Sequence, residues 1–166
     1  MLALYMSMTT PSAPDRHAGD TPALEPGDGL GVPVNRAGAA DLLAVSHRGK
    51  DTSNPATLVR AIHPRAAIMN NAGNKGGSPG TFDILRNSPG LTDLWQLHFS
   101  TAAGGRYSKP EWIANLQGVC QGYGIEVTAG ADGSFTVTNT RNRHRKAYAA
   151  PAVSAQVAAG RTSSPR

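Results

Sequence analysis

Asp41-Leu-Leu-Ala-Val-Ser-His-Arg-Gly49, continuing through Lys50 to Gly77, is the stretch whose reading decides the fold. Leu42 to Val45 is an unbroken apolar run, the pattern of a strand covered on both faces. It leads into His47 and a turn glycine, Gly49. Ser53-Asn54-Pro55 then predicts a helix start. Ser53 or Asn54 can accept a free backbone N–H, and Pro55 suits the first helical position, where no N–H is needed. Leu58, Val59 and Ile62 share one helical face, and Pro64 closes the helix. Ala66 to Met69 is the next short apolar run. Strand, helix and strand at this spacing predict a βαβ unit with parallel strands and a right-handed crossover. A histidine at the C-terminal mouth of such a strand stands where α/β scaffolds place chemistry, on an exposed loop with a rigid strand behind it. The plainer reading is a histidine that satisfies its own hydrogen bonds at a strand end.

Downstream, Asn70 to Gly77 is polar and glycine-rich but has no Gly-Lys-Ser/Thr, so it is not a phosphate-binding P-loop. Ser78-Pro79 repeats the cap-and-proline device, Phe82 and Leu85 share a helical face beside Ile84, and Asn87 to Gly90 stops that helix. Leu94 to Phe99 alternates and predicts a half-exposed strand, with Gln96 and His98 on the polar side. Gly104-Gly105 is a turn, and Pro110 to Leu116 predicts a helical turn that buries Trp112, Ile113 and Leu116. Ile125 and Val127, the turn at Asp132-Gly133, and Phe135 and Val137 predict an antiparallel hairpin, with a third strand over Arg145 to Tyr148. Residues 1–32 are rich in Pro, Gly, Ala, Thr and Asp without a helical or strand period, so an irregular arm is expected there. Residues 150–166 predict a disordered tail.

With 166 residues, 39% hydrophobic and 16% charged, the chain has room for one domain with a modest core and loose ends. A net charge of +5 permits contact with phosphates. Cys120 stands alone, which excludes an internal disulfide and a thiolate metal site; in Val-Cys-Gln-Gly it has no activating base nearby in sequence and reads as structural. No apolar run reaches the length of a membrane helix, and Met1 to Met6 is too short for a secretion-signal core. A cytoplasmic protein without membrane contact is expected. The histidines, His17, His47, His63, His98 and His144, show no spacing that places two on one strand or helix face as ligands. No Gly-x-Ser-x-Gly elbow occurs. Arg141-Asn-Arg-His-Arg-Lys146 concentrates positive charge in Arg141, Arg143, Arg145 and Lys146. That segment is either a nucleic-acid phosphate contact or a solvated hairpin tip; the lack of interleaved aromatic residues favours the tip.

Pro33-Val-Asn35, Asp41 to His47 with Gly49, Ser53-Asn54, Pro64-Arg65, Ile68 to Asn71, Lys75-Gly-Gly77, Leu91, Asp93 to His98, Ile113-Ala-Asn115 and Phe135 to Thr138 occur in one order. In these residues the chain over 33–149 resembles the C-terminal half of a metallo-β-lactamase-fold hydrolase, in the branch related to the soluble domain of the DNA-uptake competence protein. The resemblance implies an α/β class and a partial αββα sandwich: a βαβα unit followed by mixed and antiparallel strands. It also implies zinc ions along the edge where strand-end loops meet. The family's His-x-His-x-Asp-His signature is absent from this sequence, and its His-His-Gly reads His47-Arg48-Gly49. A guanidinium in that place cannot ligate a metal and repels one. Gly19-Asp20 lies at the distance of the family's metal-bridging Gly-Asp, so His47 and Asp20 are the candidate ligands carried over. The expectation is a truncated or degenerate metal-dependent hydrolase without catalysis of its own, holding zinc loosely if at all. Its expected partners are a complementary N-terminal half or a second copy, docked on an uncovered apolar sheet face.

Overall fold

A computed structural model describes residues 6–8 and 39–151. Its strands are β1 (Met6–Met8), β2 (Leu42–Ala44), β3 (Ala66–Met69), β4 (Asp93–His98), β5 (Ile113–Asn115), β6 (Ile125–Ala129), β7 (Phe135–Asn139) and β8 (Arg145–Tyr148). Helix α1 (Ala56–Ile62) joins β2 to β3, and α2 (Pro79–Arg86) joins β3 to β4. Strands β2-β3-β4-β5 form one sheet in that order, every pair parallel. The second sheet has the order β1-β6-β7-β8, with β6, β7 and β8 antiparallel and β1 parallel to β6.

Side-chain alternation along the parallel strands builds two cores. Leu43, Val45, Ala67, Met69 and Leu94 pack against Val59 and Ile62 of α1 and Phe82 and Leu85 of α2. On the opposite face, Ala66, Ile68, Trp95 and Leu97 pack against Ile125, Val127, Phe135, Val137 and Tyr148. The layers are therefore helices, parallel sheet and antiparallel sheet. Phe82 and Leu85 are 0% exposed; burying each contributes roughly 2 kcal/mol. The described residues thus form a mixed α/β fold, and the parallel βαβ unit is present as read from the sequence.

Several expectations change. Strand β4 is buried along its whole length, not half-exposed, because β3 and β5 flank it and both of its faces are covered. Gln96 tolerates this by accepting the Ser108 N–H at 2.6 Å. Strand β2 is the sheet edge, so Leu42 and Ala44 are only half-buried. Pro110–Trp112 is a single 3-10 turn, after which Ile113–Asn115 is a strand rather than more helix, and Leu116 is exposed. The edge of β4 supplies the pairing: Gln96 lies opposite Ile113 and His98 opposite Asn115. Met6–Met8 lies in the arm expected to be irregular, yet it pairs with Val127–Ala129 along the free edge of β6. The remainder of the arm, and residues 152–166 of the expected tail, lie outside the described residues.

The expected bare apolar sheet face is also different. Glu126, Thr128, Thr136 and Thr138 alternate with the core residues of the second sheet and point away from the core. Among the described residues, the large exposed apolar side chains are Tyr107, Leu116 and Val119, all on loops. No helix among the described residues is long and apolar enough to cross a membrane.

Candidate functional site

Because β2, β3, β4 and β5 are parallel, their C-terminal ends share one edge, and the loops leaving them form the candidate site. The chain leaves β2 through a 3-10 turn at Ser46–Gly49, in which His47 (φ 48°), Arg48 (φ 58°) and Gly49 (φ 79°) are all left-handed. Left-handed backbone is costly for side chains such as those of His47 and Arg48, so the surroundings must hold it. Buried Asn54 does so on one side. Its Oδ1 accepts from Ser46 N at 3.0 Å, and its Nδ2 donates to Ser46 O and Lys50 O. The loop after β3 holds the other side, with Gly77 N donating to Arg48 O at 2.8 Å and Ser78 N to Gly49 O at 2.9 Å. A Cβ on Gly76 would lie 1.9 Å from Arg48 O, so only glycine permits this approach.

Two expected helix caps are overturned by the same arrangement. Asn54 serves the His47 turn instead of capping α1, and neither helix has a side-chain bond from its own N-cap residue. Asp51 Oδ1 accepts from Thr81 N at 2.7 Å and from Thr81 Oγ1 at 3.1 Å, so the first turn of α2 is satisfied from the β2 loop.

This scaffold presents His47 to solvent, with Nδ1 3.2 Å from Ser53 Oγ and Arg48 exposed beside it. Asp20 lies outside the described residues. Among the described residues, no three His, Cys, Asp or Glu side chains come together as metal ligands. Of His47 and Arg48, only the imidazole can donate to a metal.

A second pair at this edge escaped the sequence reading. His98 ends β4 and is 7% exposed. Asn71 fixes its backbone, with Nδ2 donating to His98 O at 2.8 Å and Oδ1 accepting from His98 N at 3.4 Å. Cys120 Sγ lies 3.7 Å from His98 Nε2 and 3.8 Å from Asn115 Oδ1. Burial lowers the His98 pKa. Cys120, expected to have no activating base nearby, lies beside an imidazole, and His98, expected to face solvent or a neighbouring polar residue, is buried against that thiol. One signal was available: His98 closes an apolar strand much as His47 follows one.

The basic segment divides in two. Arg141 is held inward, donating to Pro110 O at 2.6 Å and Ile113 O at 3.2 Å. Lys146 pairs with buried Asp93 and lies over the Trp112 and Tyr148 rings. Arg143 and Arg145 are exposed. The segment therefore offers two solvent-facing cations, with the other two engaged by the core. The sequence matches no family model and no curated protein, and no solved structure matches the fold.

Proposed function

We propose that this chain is one half of a metallo-β-lactamase-like hydrolase fold that contributes His47 to a composite site and performs no hydrolysis alone. The observation that carries the reading is the position of His47: exposed at the C-terminal mouth of edge strand β2, on a turn held from both sides. The helix, sheet and sheet layering supports it, as does the ordered set of resembling residues from Pro33 to Thr138. A complementary half would have to supply the remaining ligands, because activating water needs a metal held by several of them.

The test uses the purified chain with added zinc and an activated phosphodiester. No turnover above buffer is expected, and less than one tightly held zinc per chain. Near-stoichiometric zinc with turnover that is lost in His47→Ala would overturn the proposal. Adding a polypeptide that carries a His-x-His-x-Asp-His segment should produce zinc binding that depends on His47. Binding indifferent to that residue would remove it from the site.

A further inference from the structure

At the opposite end of the parallel sheet, beside the N-terminal ends of β4 and β5, lies a cavity of about 460 Å³. That volume falls within the range of small-molecule sites. Its lining brings together Arg86, Asp93, Ser108, Lys109, Trp112 and Lys146. Three cations thus face the cavity against a single carboxylate, and that carboxylate is engaged. Asp93 pairs with Lys146 and accepts from Thr92 Oγ1 at 2.8 Å and Tyr148 O–H at 2.7 Å. Arg86 is positioned by one bond, from Nη2 to Tyr107 O at 2.6 Å, and Lys109 is exposed.

The backbone of Ser108 in that lining is fixed by its bond to Gln96. Excess positive charge around an open pocket of small-molecule size points to one ligand class. We propose that this cavity binds a small molecule carrying at least two negative charges on phosphate or carboxylate oxygens. Lys109 and Arg86 would hold the charge. A nucleic-acid backbone fits less well, because the exposed cations of the basic segment, Arg143 and Arg145, do not line the cavity.

Both tryptophans of the chain report on the site. Trp112 lines it, and Trp95 stacks on Trp112 with ring centroids 5.1 Å apart and an interplanar angle of 17°. The full chain is titrated at low salt with pyrophosphate, with citrate and with a single-stranded oligonucleotide, following tryptophan emission. Saturable change is expected with pyrophosphate or citrate at a Kd below about 1 mM, and the tighter of the two separates phosphate from carboxylate recognition. Lys109→Glu should weaken that binding by about tenfold or more, whereas Arg145→Glu should change it by less than about twofold. Both side chains are exposed, and thermal unfolding of each variant checks that the fold is retained. Three outcomes would each overturn the proposal: no saturation by either anion up to about 10 mM, equal losses in the two variants, or tighter binding of the oligonucleotide than of both anions.

Discussion

The Tyr148 hydroxyl donates to Asp93 Oδ2 at 2.7 Å and accepts from the Trp95 indole N–H at 3.1 Å, tying the last strand of the second sheet to the first residue of β4. Burial is the main cause that raises the Tyr148 pKa well above that of a free phenol, with the Asp93 carboxylate adding to it, so the hydroxyl keeps its proton and serves as donor. Tyr148→Phe would keep the ring stacked on Phe135 while leaving the buried Trp95 N–H without its acceptor and Asp93 Oδ2 with Thr92 and Lys146 alone. A loss of about 1–3 kcal/mol in unfolding free energy is expected. Urea denaturation measures it, and a loss below about 0.5 kcal/mol would show that this bond chain contributes little.

Helix α2 depends on a residue from another loop. Asp51→Ala should cost about 1 kcal/mol, because Thr81 N then has no acceptor, and Asp51→Asn should cost less because an oxygen remains. Ser78→Ala, at the helix's own N-cap position, should be close to neutral because that side chain makes no cap bond. Reversed ranking of the Asp51 and Ser78 variants by thermal unfolding would refute the cross-loop cap.

His98 gives the protein a pH dependence whose direction follows from burial. Its folded pKa lies below the ordinary value of 6.5, so the unfolded chain binds the proton more tightly. Stability linked to the neutral imidazole is complete above that unfolded value and is lost as the pH falls from it toward the folded pKa. The urea midpoint of the wild type should drop between about pH 7.5 and pH 5.5 by more than that of His98→Gln. Identical pH slopes in the two proteins would show that His98 does not carry this dependence.

What could be read from the sequence was local. Ala66–Met69 and Arg145–Tyr148 match their expected strands, and Pro79 opens α2 as expected, because apolar runs and proline act on neighbouring residues. The burial of Gln96 and His98 was not legible, since alternation shows which side a residue faces but not whether another layer covers it. Strand β5 was hidden by its shortness, and its identity depends on the edge of β4. His47 was singled out from its place after an apolar run. Its partners in the fold, Asn54 and the loop at Gly76, arise from chain reversals that no local pattern encodes, and so does the meeting of Cys120 with His98 across 22 positions.

The order of the parallel sheet, β2-β3-β4-β5, is also the order of synthesis. Each new strand can therefore settle beside its immediate predecessor as the polypeptide leaves the ribosome, without waiting for a later segment to be inserted between two earlier ones. Strand β8 emerges last, so the Asp93 carboxylate stays open to water throughout translation and is sealed only when Tyr148 and Lys146 arrive. A ribosome stalled before residue 145 would hold a helix-backed sheet whose far face still lacks its final strand.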